Sequence, residues 1–246
     1  MNLPEMTLVD SVALVWFLGC WVGYTIISDY RARRFNNLMR AMNAYRTQWM
    51  QKLLDRDMRM VDANIVGNLL RSATFFASTS IFILAGLIAI LGAADVGAAV
   101  IESMPFAEST SRQLWEIKVL LLMTIFIYAF FKFAWSLMQY NHWSIMIGAA
   151  PEISSSAEAK DTYAKMAARI GNLAASHFNR GMRAYYFGLA ALTWFIHPWL
   201  FMVATTWVVG VLYRREFRSR ILRAVEVIAE SFGESTNGLP CSGKPR

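Results

Sequence analysis

The sequence predicts an all-α, polytopic membrane protein, and three observations support this class. Of the 246 residues, 56% are hydrophobic and 17% are charged, whereas a soluble domain carries about 25% charged residues. The apolar residues are concentrated in tracts of roughly 20, the helix length that crosses about 30 Å of hydrocarbon. Most Lys and Arg residues lie between these tracts. Two cysteines and six prolines are too few for a disulfide scaffold or a collagen-like chain.

Four apolar tracts are long enough, or nearly long enough, to form spans. The first covers about residues 8–27, the second 72–92 and the third 114–137. The fourth, 182–213, is too long for one simple span and has the dipeptide His197-Pro198 near its middle. Proline lacks a backbone donor and pushes the preceding residue out of helical geometry. This tract therefore forms either one kinked helix or two short helices joined by a turn.

The distribution of basic residues favours five spans, with four as the alternative. Three segments, 28–71, 138–183 and 213–246, contain 21 of the 24 Lys and Arg residues. Cytoplasmic flanks are enriched in Lys and Arg, so we expect these segments on the cytoplasmic side. Five spans, the last two at about 182–196 and 198–213, achieve this. These last two have only about 16 residues each and need a locally thin bilayer or neighbouring protein.

The first span is expected to be an uncleaved anchor in the inner (plasma) membrane, with the N-terminus outside and the C-terminus in the cytoplasm. Its basic cluster, residues 31–34, follows the span instead of preceding it. Cys20 in this span and Cys241 in the tail are expected to be free thiols. Residues 234–246 form a basic tail that is predicted to be disordered, so residues 1–233 form the single folded domain.

Two cytoplasmic segments have apolar residues at the spacing of amphipathic helices. In residues 36–62 these are Leu38, Met42, Tyr45, Trp49 and Leu53; in residues 157–178 they are Tyr163, Met166, Ile170, Leu173 and His177/Phe178. The second segment begins with a capping box at Ser155–Glu158. We expect the two helices to pack on each other. Contact with anionic lipid or with a partner protein is the alternative. Nucleic-acid binding is not expected, because membrane topology explains the positive charge.

No active site, metal site or cofactor site is recognisable in the sequence. His142, His177 and His197 have no Cys or carboxylate at the spacing of metal ligands. A nucleophile elbow, a phosphate-binding loop and a dinucleotide fingerprint are all missing from the sequence. We therefore predict no catalytic residues, no metal and no cofactor, and favour a protein that is not an enzyme.

Two residue pairs within the spans have both a structural and a functional interpretation. Lys118 and Lys132 in the third span either extend to opposite membrane surfaces or form the basic lining of an anion path. Gly19 and Gly23 form a G-x-x-x-G pattern in the first span, which favours close approach of another helix.

Several stretches, spread over roughly residues 5–220, form a recognisable pattern. They are Asp62–Asn64 with Leu69–Thr79, Phe131–Ser136 with Gln139–Asn141, Asn179–Phe187 and Leu212–Phe217. Together they resemble an uncharacterised membrane family, domain of unknown function 599. The resemblance implies a helical protein with several spans, and it carries over no activity and no catalytic residue.

Polar motif residues at the cytoplasmic entrances of the spans are predicted to form one hydrogen-bonded cluster. They are Asp62, Asn64, Arg71, Ser72, Asn141, Asn179 and Arg183. Unpaired polar groups at this depth would be costly, which is the reason to expect them together.

The sequence thus predicts a structural or accessory membrane subunit that acts through helix packing, in a homo-oligomer or with other membrane subunits. The lack of a catalytic pattern and the many small and aromatic residues support this function. A channel or transporter for small anions, using Lys118 and Lys132, is the alternative. A lipid-modifying enzyme is a third candidate, which depends on a possible approach of His142 to His177.

Overall fold

The computed structural model describes residues 7–34, 38–93 and 111–217, which form six α-helices and no strand. The helices are α1 (Leu8–Arg34), α2 (Leu38–Leu53), α3 (Met60–Gly92), α4 (Arg112–Gly148), α5 (Ala157–Leu192) and α6 (Pro198–Phe217), with a 3-10 turn at Thr193–Phe195. The predicted all-α class is confirmed. The tail of residues 234–246 lies outside the described residues.

Three of the described helices are long and apolar enough to cross a membrane: Leu8–Tyr30, Met60–Gly92 and Arg112–Gly148. They contain the first three predicted spans. The α3 and α4 helices have 33 and 37 residues, so each is about 50–55 Å long and exceeds the roughly 30 Å of hydrocarbon. Each therefore continues as one helix beyond the apolar tract that the sequence identifies.

The predicted cytoplasmic helix of residues 36–62 is wrong at its C-terminal end. The α2 helix stops at Leu53, and residues 54–59 form a turn before α3 begins at Met60. Burial of Leu53 and Leu54, both 1% exposed, holds this turn against the bundle. The guanidinium of Arg59 fixes it further by donating to the carbonyl oxygens of Ala150 and Pro151 at 3.1 Å.

The second predicted cytoplasmic helix begins as expected but does not end at residue 178. Ser156 caps it by accepting a hydrogen bond from the backbone nitrogen of Ala159. Because no proline interrupts the chain before Pro198, the helix continues to Leu192, and the fourth apolar tract begins inside it. As predicted, α2 packs on the first half of α5, where Gln51 donates to Asp161 at 3.0 Å.

The fourth apolar tract folds as two helices joined at Pro198 rather than as one kinked helix. Proline fits the first turn of α6, where its missing backbone donor has no partner to lose. The α6 helix returns along α5: Trp194 stacks on Phe201 with ring centroids 5.1 Å apart. Further along both helices, Arg183 Nε donates to Glu216 Oε1 at 2.9 Å.

The α4 and α5 helices pack antiparallel through aromatic rings that lie on glycines. The pairs are Trp143 with Gly171, Phe133 with Gly181 and Phe126 with Gly188. A Cβ atom at these glycines would lie 2.8, 2.7 and 3.1 Å from the nearest ring atom. Glycine is therefore what permits α5 to approach α4 so closely, especially at the first two positions.

Candidate functional site

Charged side chains from three helices meet where α1 and α6 end. Arg183 of α5 is buried; its Nε donates to Glu216 Oε1 of α6 at 2.9 Å and its Nη1 to Asp29 Oδ1 of α1 at 3.1 Å. Arg180, one turn earlier on α5, donates through Nη2 to Asp29 Oδ2 at 2.8 Å. We call these four residues the arginine network. It links α1, α5 and α6 through two guanidinium groups and two carboxylates.

Glu216 is further stabilised by hydroxyl groups of α1. Its carboxylate accepts a hydrogen bond from Tyr24 at 3.0 Å and another from Ser28. These two donors are four residues apart and therefore lie on one face of α1. A carboxylate that is largely removed from water needs several such donors, because its desolvation is costly. The end of α6 is thereby attached to α1 as well as to α5.

A cavity of about 450 Å³ lies beside the arginine network, between α2, α5 and the ends of α1 and α6. Its charged lining consists of Arg46, Arg180, Arg183, Arg215, Asp29 and Glu216, and its apolar lining of Leu38, Met39, Met42 and Leu173. The cavity lining therefore combines an excess of guanidinium groups with apolar side chains that come mainly from α2.

The structure divides the predicted polar cluster. Asp62 is fully buried and accepts hydrogen bonds from Trp49 Nε1 at 2.6 Å and Arg56 Nη1 at 2.9 Å. Ser80, further along α3, marks the height of Arg183 in the bundle. Its hydroxyl lies 2.9 Å from the hydroxyl of Tyr185, which is two residues after Arg183 in α5. Asp62 is therefore about 25 Å from that level along the helix. Because α3 runs without a break from Met60, it carries Asp62 away from the arginine network.

The other predicted cluster residues are also dispersed. Asn64, Arg71, Ser72 and Asn141 are exposed, and the side chains of Arg71 and Ser72 bond to Asn68 one turn earlier on α3. Asn179 lines the cavity together with Arg183, and its Nδ2 lies 3.8 Å from Met39 Sδ. Of the seven predicted residues, only these two share a site.

The two lysines of α4 have separate surroundings. Lys118 is 3% exposed and its Nζ lies 5.6 Å from the ring centre of Trp194. Lys132 lies over two aromatic rings of its own helix. Leu122 and Ile125, each at most 1% exposed, fill the buried face of α4 between the lysines. An anion path through both lysines stays a prediction.

Gly19 and Gly23 have no close neighbour within the described part of the chain. A Cβ atom on either would meet nothing within 4 Å. Their role in helix packing therefore stays a prediction. Of the histidines, His177 packs on Trp135 with centroids 5.6 Å apart, while His142 is exposed; among the described residues no hydrogen bond or ring contact joins them.

Asp29, Glu216, Arg46 and Arg180 are the site residues that sequence reasoning missed. A signal was present for the two acids. Asp29 precedes the basic cluster of residues 31–34, and Glu216 directly follows Arg214 and Arg215. An isolated acid in a strongly basic flank indicates a local ion-pair partner, and both acids are paired in the structure.

Three helices of the bundle are, by length and composition, able to cross a membrane, which indicates a membrane-embedded protein. A family model described as "Protein of unknown function, DUF599" matches residues 12–221. The chain therefore belongs to this family, which confirms the resemblance that the sequence motifs indicated. Searches of curated proteins and of solved structures find no match.

Proposed function

We propose that the protein is a five-span accessory subunit of the inner membrane, with the N-terminus outside and the tail in the cytoplasm. It works by lateral packing of its helices, either with further copies of itself or with other membrane subunits. The α1, α3 and α4 helices supply three spans. The second half of α5 and α6 supply a short hairpin that crosses the membrane twice.

Contacts at both ends of α1 support the fourth and fifth spans. At its start, Asp10 Oδ1 accepts a hydrogen bond from Trp194 Nε1, at the α5–α6 turn, at 2.8 Å. At its end, Ser28 and Tyr24 donate to Glu216 near the end of α6. The α6 helix therefore runs parallel to α1 over nearly the same length. If α1 crosses the bilayer, α6 and the adjoining half of α5 cross it too.

Labelling of cysteines tests this topology. We expect a membrane-impermeant maleimide to label Cys241 only after intact cells are permeabilised, because five spans leave the tail in the cytoplasm. In a chain that carries Cys241→Ser and His197→Cys, we expect labelling of position 197 without permeabilisation. A second position near the turn, Trp199→Cys, controls for local access to the reagent. Labelling of Cys241 from outside would contradict the five-span topology.

The observation that carries the accessory role is an apolar face that the described chain leaves uncovered. A groove of about 750 Å³ runs between α1 and α6, and its rim includes the exposed Trp199 and Trp207. Gly19 and Gly23 lie on the neighbouring surface of α1, where a Cβ atom on either would meet none of the described residues within 4 Å. Lipid would cover such a surface, but small residues four apart also allow another helix to approach closely.

Oxidative crosslinking in native membranes tests packing between copies. Cys20 lines the same face of α1 as Gly19. In full-length protein that carries Cys241→Ser, we expect a disulfide-linked dimer through Cys20. Adding Gly19→Leu and Gly23→Leu should largely abolish it, because the larger side chains separate the helices.

Gly86→Leu provides the matched control, since Gly86 also lies in an apolar helix with nothing near its Cβ position. It should leave the crosslink unchanged. If no dimer forms, purification in a mild detergent must show other membrane subunits in fixed ratio with the chain. A monomer without any such subunit would contradict the proposed accessory role.

A further inference from the structure

The cavity beside the arginine network carries more positive charge than the described residues neutralise. Four guanidinium groups and two carboxylates line it, which leaves a formal charge of +2. The carboxylates of Asp29 and Glu216 are already bonded to Arg180 and Arg183. No carboxylate of the described residues lies within salt-bridge distance of the other two arginines, Arg46 of α2 and Arg215 of α6.

Several nitrogen atoms of this lining have no hydrogen-bond partner in the described part of the chain. Arg46 makes both of its side-chain hydrogen bonds through Nη1, to Asn43 Oδ1 at 2.8 Å and Asn172 Oδ1 at 3.0 Å. Arg180 Nε and His177 Nδ1 are buried and have no hydrogen-bond partner among the described residues. Burial, as the largest cause, and the nearby charges of Lys132 and Arg180 lower the pKa of His177. Buried groups without partners are costly, so a ligand rich in acceptor oxygens would stabilise this lining.

The remaining wall of the cavity suits an apolar group attached to the anion. Leu38, Met39 and Met42 of α2 and Leu173 of α5 line the cavity together. The volume of about 450 Å³ lies within the range of about 300–1,000 Å³ that is usual for ligand pockets. In the proposed topology, which this step assumes, the cavity lies at the cytoplasmic boundary of the bilayer, where an anion and an apolar chain can both be accommodated.

We propose that this cavity binds a phosphate group, with Arg46 and Arg215 as its direct ligands. Guanidinium groups bind phosphate through parallel, charge-assisted hydrogen bonds. A phosphate monoester carries a charge of about −1.5 to −2 at neutral pH, which matches the excess positive charge of the cavity lining. Arg183 serves as a positioning residue, because its bonds to Asp29 and Glu216 hold three helices around the cavity. The headgroup of an anionic lipid and a soluble phosphate share this chemistry.

Thermal unfolding of the full-length protein in phosphatidylcholine nanodiscs tests the proposal. One arm adds phosphatidic acid to the bilayer and the other adds inorganic phosphate to the buffer, at constant ionic strength with sodium chloride as reference. A ligand that binds only the folded state raises the unfolding midpoint. We expect such a rise in at least one arm, and the responding arm identifies lipid or soluble phosphate as the source.

Variants show whether the cavity is responsible. Arg46→Gln and Arg215→Gln should each need about tenfold more probe, or more, for the same rise, because each removes a charged hydrogen-bond donor. Arg169→Gln, at an exposed position of α5 that does not line the cavity, should respond like the unmodified protein. The two test variants lie on different helices, so one remains informative if the other does not fold.

The proposal is overturned if neither probe raises the midpoint above that in sodium chloride. It is equally overturned if Arg46→Gln and Arg215→Gln respond like Arg169→Gln. Neither result bears on crosslinking through Cys20 or on the labelling of Cys241. Failure of the phosphate site is thus distinguishable from failure of the proposed accessory role.

Discussion

Replacing Arg183 with methionine should lower the free energy of unfolding by about 3–5 kcal/mol. The arginine side chain is 6% exposed and neutralises Asp29 and Glu216 from two different helices. Its removal leaves Glu216 largely buried without a cationic partner, and Asp29 with Arg180 alone. Thermal unfolding in a mild detergent, followed by circular dichroism, measures the loss.

Two further variants identify the cause. Arg169→Met, an exposed arginine of the same helix, should cost little. Neutralising both acids as well, by Asp29→Asn and Glu216→Gln in the Arg183→Met background, should recover part of the stability because no unpaired charge remains. If Arg183→Met were as stable as Arg169→Met, the arginine network would not hold the helices together.

Adding a single methyl group at Gly181 should destabilise the protein by about 1–3 kcal/mol. The new Cβ would lie 2.7 Å from the ring of Phe133, which is itself fully buried and has little room to move. Alanine otherwise favours helix formation over glycine by about 0.5–1 kcal/mol, so the expected sign is opposite to that of the intrinsic preference. Denaturant or thermal unfolding of Gly181→Ala measures the change.

The matched control is Gly86→Ala, where a Cβ meets nothing within 4 Å. It should be neutral or slightly stabilising. Combining Gly181→Ala with Phe133→Leu should cost less than the two single changes added together, because the smaller side chain relieves the clash. Equal stability of Gly181→Ala and Gly86→Ala would show that the Phe133 ring does not require a glycine where α5 approaches α4.

The apolar tracts were predictable because each is an uninterrupted run of apolar residues in the sequence. The ends of the helices could not be predicted in this way. Residues 60–71 and 157–178 carry charged and amide side chains that exclude them from the predicted spans, yet both continue directly into apolar tracts as one helix. Hydropathy identifies the part of a helix that is suited to lipid. It does not identify the ends of the helix, which depend on a turn such as residues 54–59 or on a proline such as Pro198.

The candidate site was only partly predictable, for a related reason. Arg183 and Asn179 were identified. Asp62 was assigned to the same cluster because the sequence does not show that one unbroken helix, α3, separates Asp62 from the level of Arg183. Close glycine contacts were expected at Gly19, from a sequence motif within one helix. They occur instead at positions such as Gly181, because the contact also requires an aromatic ring at the matching height on a facing helix, and spacing within one helix cannot reveal that partner.

The attachment of α6 to α1 at both ends has a consequence for biosynthesis. Translation delivers Asp10 and Arg183 to the bilayer before Glu216 leaves the ribosome. Until that moment Arg183 lacks one of its two carboxylates, and Tyr24 lacks its acceptor. A truncated product would expose these unmatched groups at membrane depth, where degradation machinery could distinguish it from the finished polypeptide.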